Sequence, residues 1–137
     1  MIFYKIGCYV LILTGLIKLS GQFQEHVPTN DTERQLTELM TTTQIEVVNG
    51  TTITMMGTQM GFGLWFSLSL IWAGVISLFL VKQLGENKAF LAKISGLNAS
   101  ALLIGSGISL LYFFFIPTVC LALALISFSV ATIQLKS

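Results

Sequence analysis

The stretch GFGLWFSLSLIWAGVISLFLV, residues 61–81, decides the fold of this chain. It contains no charged side chain. A helix needs about 20 apolar residues to cross the roughly 30 Å hydrocarbon core of a bilayer. The stretch therefore predicts a transmembrane helix. Three further apolar stretches predict three more spans, at about residues 1–20, 94–114 and 117–135.

The composition of the whole chain supports this prediction. Of the 137 residues, 54% are apolar and 9% are charged, whereas a soluble domain has about 25% charged residues. So few charges exclude a disordered chain and a nucleic-acid binder, and two cysteines are too few for a disulfide scaffold. We expect an all-α membrane protein, a four-helix transmembrane bundle that forms one integral membrane domain over residues 1–137.

The first span is interrupted by Lys5 and Lys18. The twelve residues between them would rise only about 18 Å as a helix, so this helix spans if both lysine side chains extend to the interfaces. The alternative is a signal peptide that is cleaved near Ser20 and Gly21. Leu19 suits such a cleavage site poorly, and we therefore expect the span to be retained.

The polar residues 21–60 predict a small subdomain between the first and second spans. Asn30 is a good helix N-cap and Glu33 follows three residues later, which favours a short amphipathic helix over residues 31–41. Residues 44–48 and 51–55 are rich in β-branched side chains and flank Asn49-Gly50, which suits a type I′ turn. We expect a β-hairpin there, and a flexible threonine-rich loop is the alternative.

The third and fourth spans follow each other without a polar loop, since residues 113–116 are all apolar. Pro117 cannot continue a helix but is well accommodated in the first turn of a new one. The pattern predicts a tight connection with Tyr112 at the interface. A single kinked helix is the alternative, but its apolar length of about 40 residues is too long for one crossing.

The distribution of charge predicts the orientation. With the N-terminus in the cytoplasm, that side carries five lysines against one glutamate, and the other side carries two basic residues against five acidic ones. Because cytoplasmic segments are enriched in Lys and Arg, we expect both termini in the cytoplasm and residues 21–60 outside.

Small residues repeat every four positions in two spans. One stripe comprises Ser69, Ala73 and Ser77, and the other comprises Ala101, Gly105 and Ser109. Small side chains let transmembrane helices approach closely. We expect these two stripes to be helix-packing sites that face each other.

Trp65 and Trp72 lie seven residues apart, on the face that also carries Ser69. The indole N–H of a tryptophan within the membrane needs an acceptor, so Trp72 is expected to pack against a serine or a carbonyl. Alternatively, Trp65, Trp72 and Tyr112 form the wall of an apolar pocket for a small molecule.

No residue pattern indicates catalysis. The predicted membrane interiors contain no Asp, Glu, Arg or His, which are the residues that mark proton relays and ion paths. His26 is the only histidine and has no partner for a metal site. Cys8 is expected near the cytoplasmic end of the first span and Cys120 near the outer end of the fourth, too far apart for a disulfide. We therefore expect no enzyme activity and no catalytic, cofactor-binding or metal-binding residues.

Gly15-Leu16-Ile17-Lys18-Leu19 resembles the end of the opening helix of DoxX-like four-span membrane proteins. Further similarities to a small group of bacterial relatives are spread over most of the chain, at Pro28, Asn30, Leu39-Met40, Gly61-Phe62 and Pro117. The arginine usual at the start of the family's first helix is absent, and Lys5 is its candidate replacement. The resemblance implies a four-helix bundle in the bacterial cytoplasmic membrane.

These observations favour a non-enzymatic subunit or scaffold of a membrane protein complex. Its expected partners are the lipid bilayer and other membrane subunits or a second copy of the chain, and not nucleic acid. One alternative, which the family resemblance implies, is an accessory membrane subunit of a quinone-linked oxidoreductase. Another alternative is a binder or carrier of a small hydrophobic molecule.

Overall fold

The structure is a computed structural model that describes residues 1–24, 27–48, 50–112 and 115–136, and the side chain of Tyr112 lies outside this description. The elements in chain order are α1 (Ile2–Gln22), α2 (Asp31–Thr42), β1 (Gln44–Val48), β2 (Thr51–Thr54), α3 (Met55–Leu84), α4 (Lys88–Tyr112) and α5 (Phe115–Lys136). Within the described residues, four helices are long and apolar enough to cross a membrane: α1, α3, α4 and α5. The predicted fold class is confirmed.

The helix α2 begins at the predicted cap. The side-chain Oδ1 of Asn30 accepts a hydrogen bond from the backbone N–H of Glu33 at 2.8 Å, and the Glu33 carboxylate accepts one from the backbone N–H of Thr29 at 2.7 Å. The first bond satisfies an N–H group that the first helical turn leaves without an intrahelical partner, and the second ties the residue before the cap to the helix. The cap therefore fixes where α2 starts.

The predicted β-hairpin is also present. The strands β1 and β2 pair antiparallel, with Ile45 opposite Ile53 and a bulge between Glu46 and Val48. Gly50 has a φ of 80°, a left-handed conformation that glycine adopts without strain. The type of turn predicted at Asn49-Gly50 depends on Asn49, which lies outside the described residues.

The four long helices pack in the spatial order α3, α1, α5, α4. The helix α1 contacts α3 and α5 along much of its length and α5 contacts α4 in the same way, whereas α3 and α4 have little contact. The rings of Tyr4, near the start of α1, and Phe128 of α5 pack edge to face with centroids 5.3 Å apart, and both side chains are fully buried. The bundle is consequently open on one side, between α3 and α4.

The helices α4 and α5 pack closely against each other. Pro117 lies in the first turn of α5, as predicted. The hydroxyl groups of Ser109 and Thr118 form a hydrogen bond of 2.8 Å across the pair. Phe113 and Phe114, which the tight connection was predicted to contain, lie outside the described residues.

Candidate functional site

The structure does not bring the two predicted small-residue stripes together. Ser69 and Ala101 are exposed, and a Cβ placed on Gly105 would meet no heavy atom within 4 Å. Ser77 does approach α4, since its hydroxyl accepts a hydrogen bond of 3.1 Å from the side-chain amide of Asn98. Ser109 is buried, but against α5. The two stripes therefore do not pack against each other as expected. The hydrogen bond of Ser77 instead joins α3 to Asn98, which belongs to neither stripe.

The helix α3 uses a different stripe, which faces α1. A Cβ placed on Gly74 would lie 2.7 Å from the carbonyl oxygen of Cys8 and 2.6 Å from Cγ1 of Ile12. On α1, a Cβ placed on Gly15 would lie 2.8 Å from the carbonyl oxygen of Ser67. The two backbones approach so closely only because these positions have no side chain.

The sequence contains a pattern that predicts this stripe, but a search for small residues exactly four positions apart does not detect it. The buried positions of α3 alternate steps of four and three residues, at Gly63, Ser67, Leu70, Gly74, Ser77 and Val81. Such a pattern stays on one face, whereas positions four apart drift by about 40° per step on a helix of 3.6 residues per turn. The predicted stripe therefore drifts across the surface of α3, from exposed Ser69 through half-buried Ala73 to buried Ser77.

Trp65 and Trp72 are exposed on the outside of α3, at 72% and 61% of their full accessibility. Neither side chain lines either of the two cavities described below. The expected packing of Trp72 and the alternative of a pocket wall formed by the two tryptophans are both absent from the described arrangement. The side chain of Tyr112, the third predicted pocket residue, lies outside the described residues.

A cavity lies elsewhere, where the hairpin-proximal ends of α1, α3 and α5 meet. It has a volume of about 370 Å³, within the roughly 300–1,000 Å³ typical of small-molecule sites. Apolar side chains from all three helices form much of its wall, including Ile17, Phe66 and Leu121. Lys18, Gln22 and Gln24 also line it.

Lys18 is the only charged side chain among the described residues that line this cavity. It is partly buried, and its ammonium nitrogen lies 5.2 Å from the centroid of the Phe66 ring. A cation at this distance from a ring face is attracted by the ring quadrupole. From the sequence, Lys18 was predicted only to lie at the membrane interface. The sequence of one helix does not reveal which other helices lie next to a given side chain, here α3 and α5.

The side-chain amide of Gln22 occupies space that is free because residue 63 of α3 is a glycine. A Cβ placed on Gly63 would lie 2.6 Å from Nε2 of the Gln22 side chain, so any other residue would displace the amide. A second cavity of about 80 Å³ shares Lys18, Phe66, Pro117 and Leu121 with the first and is also lined by Gly105 and Ile108 of α4. The two cavities thus share part of their walls, and all four long helices contribute residues to the second.

The side chains at this site are suited to binding an amphiphile. The Lys18 ammonium and the amides of Gln22 and Gln24 carry N–H donors at one part of the wall, and apolar side chains form much of the rest. The hydroxyl groups of Thr14 and Ser20 donate to the carbonyl oxygens of Val10 and Ile17 within α1. No group of three His, Cys, Asp or Glu side chains that could hold a metal ion occurs in the described residues. Cys8 and Cys120 are both free thiols.

Comparison with protein-family models, with curated proteins and with solved structures found no match to this chain. The similarity to DoxX-like proteins therefore stays a prediction that rests on the residues quoted for it. The accessory role in a quinone-linked oxidoreductase stays a prediction on the same ground.

Proposed function

We propose that this chain is a small non-enzymatic subunit or scaffold of a membrane protein complex, and that it binds its partner through the hairpin subdomain, defined here as α2, β1 and β2. The observation that carries the proposal is the exposure of apolar side chains outside the spans. The helix α2 buries no residue, and Leu36 and Leu39 remain 56% and 61% exposed. Exposed apolar surface outside the membrane is typical of interaction sites.

The hairpin contributes a second apolar surface of the same kind. Ile45 of β1 and Ile53 of β2 lie opposite each other and so share one face of the hairpin, and Val47 lies within the bulge of β1. All three side chains are exposed. A two-stranded hairpin is marginally stable alone, and a partner that covers this face would stabilise it.

Charge favours a protein as the partner over the lipid surface. The subdomain carries Asp31, Glu33, Glu38 and Glu46 against the single basic residue Arg34. An anionic lipid surface would repel this distribution, whereas a protein with basic residues around an apolar patch would complement it. We therefore propose a membrane or membrane-bound protein subunit with such a patch.

We also propose that the chain lies in the bacterial cytoplasmic membrane with both termini in the cytoplasm and the hairpin subdomain outside. The excess of lysines at the ends of the spans on the side of the termini supports this orientation. Labelling from outside the cell with a membrane-impermeant thiol reagent should modify a cysteine introduced at Thr42 and spare one introduced at Asn87. The reverse labelling would contradict the orientation.

The subunit role is tested by the size of the native complex. Leu39→Glu places a charge in the exposed apolar face of α2, and Thr41→Glu places the same charge two residues away, on another face of the helix. In mild-detergent extracts of host membranes, we expect the wild-type chain and Thr41→Glu to migrate in native electrophoresis as one complex much heavier than the chain. Leu39→Glu should migrate as the isolated chain. A wild-type chain that already migrates alone, or two variants that behave identically, would contradict the proposal.

A further inference from the structure

The side of α3 that points away from the bundle repeats with the same period as the side that packs on α1. Its exposed positions alternate steps of four and three residues, at Trp65, Ser69, Trp72, Ile76 and Phe79, named here the outer face of α3. Such steps average 3.5 residues, which is the repeat by which two helices pack along a common stripe. From Trp65 to Phe79 the stripe extends over about 21 Å, most of the roughly 30 Å hydrocarbon core.

Trp72 lies on this face near the middle of the membrane. It follows Gly61 by eleven residues and precedes Val81 by nine, so at least about 13 Å of helix separates it from either end of the apolar stretch. Water and lipid head groups are therefore too far away to bind its indole N–H, and hydrocarbon offers no acceptor. Trp65 differs, because it lies near the hairpin-proximal end of the span, where tryptophan is common and acceptors are available.

The indole N–H of Trp72 also has no acceptor within the part of the chain that the structure describes. Its side chain is 61% exposed on the outside of α3. A polar group without a hydrogen-bond partner in hydrocarbon is costly. The acceptor must therefore belong to a protein that packs on the outer face of α3.

The same face carries a suitable acceptor. The hydroxyl group of Ser69 donates to the carbonyl oxygen of Trp65 at 2.8 Å, and a hydroxyl oxygen that donates can still accept. Ser69 and Trp72 are three residues apart, about 4.5 Å along the helix axis. When two parallel helices pack along such a stripe, each side chain inserts between four residues of the facing helix, which include the stripe positions before and after it. Trp72 of one helix thus meets Ser69 of the other.

We infer that a second copy of this chain binds to the outer face of α3. The two copies form a parallel dimer in which Trp72 of each copy donates its indole N–H to the Ser69 hydroxyl of the other. A two-fold axis forms this bond twice, and the face has no charged side chain that would repel its copy. The packing is parallel because the same lysines orient both copies in the membrane. The contact is separate from the hairpin subdomain.

Energy transfer between chains labelled at the N-terminus with a donor or an acceptor fluorophore tests this inference. The purified chain is reconstituted in phosphatidylcholine vesicles, because detergent covers apolar helix faces and competes with a second copy. We expect transfer that depends linearly on the acceptor fraction, as for a dimer, and that decreases when lipid dilutes the chain. Transfer no greater than that of unassociated chains at every ratio of protein to lipid would overturn the inference.

Two matched variants locate the bond at Trp72. Trp72→Phe retains an aromatic ring and removes the N–H. Interhelical hydrogen bonds in membranes are individually weak but here form twice, so we expect the dissociation constant in the bilayer to rise about three- to tenfold. Trp65→Phe makes the same change on the same face, where acceptors are available, and should leave the constant unaltered. No change in Trp72→Phe, or an equal change in Trp65→Phe, would overturn the assignment.

The acceptor is tested by Ser69→Ala. We expect it to weaken dimerisation as much as Trp72→Phe does, and the double variant should show no further loss, because both substitutions remove the same bond. Ser100→Ala is the control, since the Ser100 hydroxyl is likewise exposed and bonded within its own helix, and it should not affect dimerisation. Additive losses in the double variant would overturn the pairing of Trp72 with Ser69.

Cross-linking identifies the face that meets the second copy. In a chain with Cys8 and Cys120 replaced by alanine, oxidation should join two copies of Ile76→Cys and leave Leu97→Cys, on the exposed surface of α4, as monomers. Cross-linking through Leu97→Cys alone would place the second copy on α4 and overturn the inference. Leu39→Glu should dimerise in vesicles as the wild type does, and loss of its dimer would move the contact to the hairpin subdomain.

Discussion

The pair α1–α3 and the pair α3–α4 both carry small residues, but only the first pair is closely packed. Gly15 and Gly74 lie where a Cβ would collide with the backbone of the opposite helix, whereas a Cβ on Gly105 would enter open space. A glycine alone therefore does not predict close helix packing. Gly74 belongs to a series of buried positions that follow the period of the helix along one face of α3. Gly105 instead borders the smaller cavity, together with residues of α1, α3 and α5.

The largest expected effect is that of a bulky residue in the α1–α3 contact. Gly74→Leu would force a side chain against the Cys8 carbonyl and Ile12, and overpacking typically costs about 1–3 kcal/mol. We expect a clearly lower melting temperature in detergent solution. Gly105→Leu is the matched control and should change the melting temperature much less. Equal losses in the two variants would show that α3 and α4 are as closely packed as α1 and α3.

A smaller effect is expected where α3 and α4 do touch. Asn98→Ala removes the hydrogen bond to the Ser77 hydroxyl, and interhelical hydrogen bonds in membranes contribute about 0.6 kcal/mol on average. Thermal unfolding in detergent should show a small loss. Ser100→Ala removes only a bond to the carbonyl of Gly96 within α4 and serves as the control. If Ser100→Ala lowers the melting temperature as much as Asn98→Ala does, the interhelical hydrogen bond contributes no more to stability than the bond within α4.

The smallest expected effect lies on the open face of α4. A Cβ on Gly107 would meet no heavy atom within 4 Å, and alanine has a higher helix propensity than glycine by up to about 1 kcal/mol in water. Gly107→Ala should therefore leave the melting temperature unchanged or raise it slightly. A distinct decrease would reveal that another helix, from a partner or a second copy, packs on this face.

Several elements of the fold could be predicted from sequence because their causes are local. The four spans follow from the length of their apolar stretches, and α2 begins where Asn30 and Glu33 cap it. The hairpin follows from β-branched residues on both sides of Asn49-Gly50. Each of these signals acts over at most a few turns of chain, so no knowledge of the other helices is needed.

The choice of helix neighbours could not be predicted in the same way. The stripes Ser69-Ala73-Ser77 and Ala101-Gly105-Ser109 share an interval, but an interval in one helix carries no information about which other helix it faces. Ser77 and Ser109 are buried as packing residues would be, yet they bond to Asn98 and Thr118 in two different helix pairs.

The sequence by itself determined that this chain has four apolar helices with a small polar subdomain between the first two, because bilayer thickness, capping and turn geometry act on neighbouring residues. Only the tertiary structure decided that α1 lies between α3 and α5 and that Lys18 lines a cavity between them. The physical reason is that a cavity is the space that several helices leave unfilled. Its position depends on side chains far apart in sequence, which meet only when the bundle has formed.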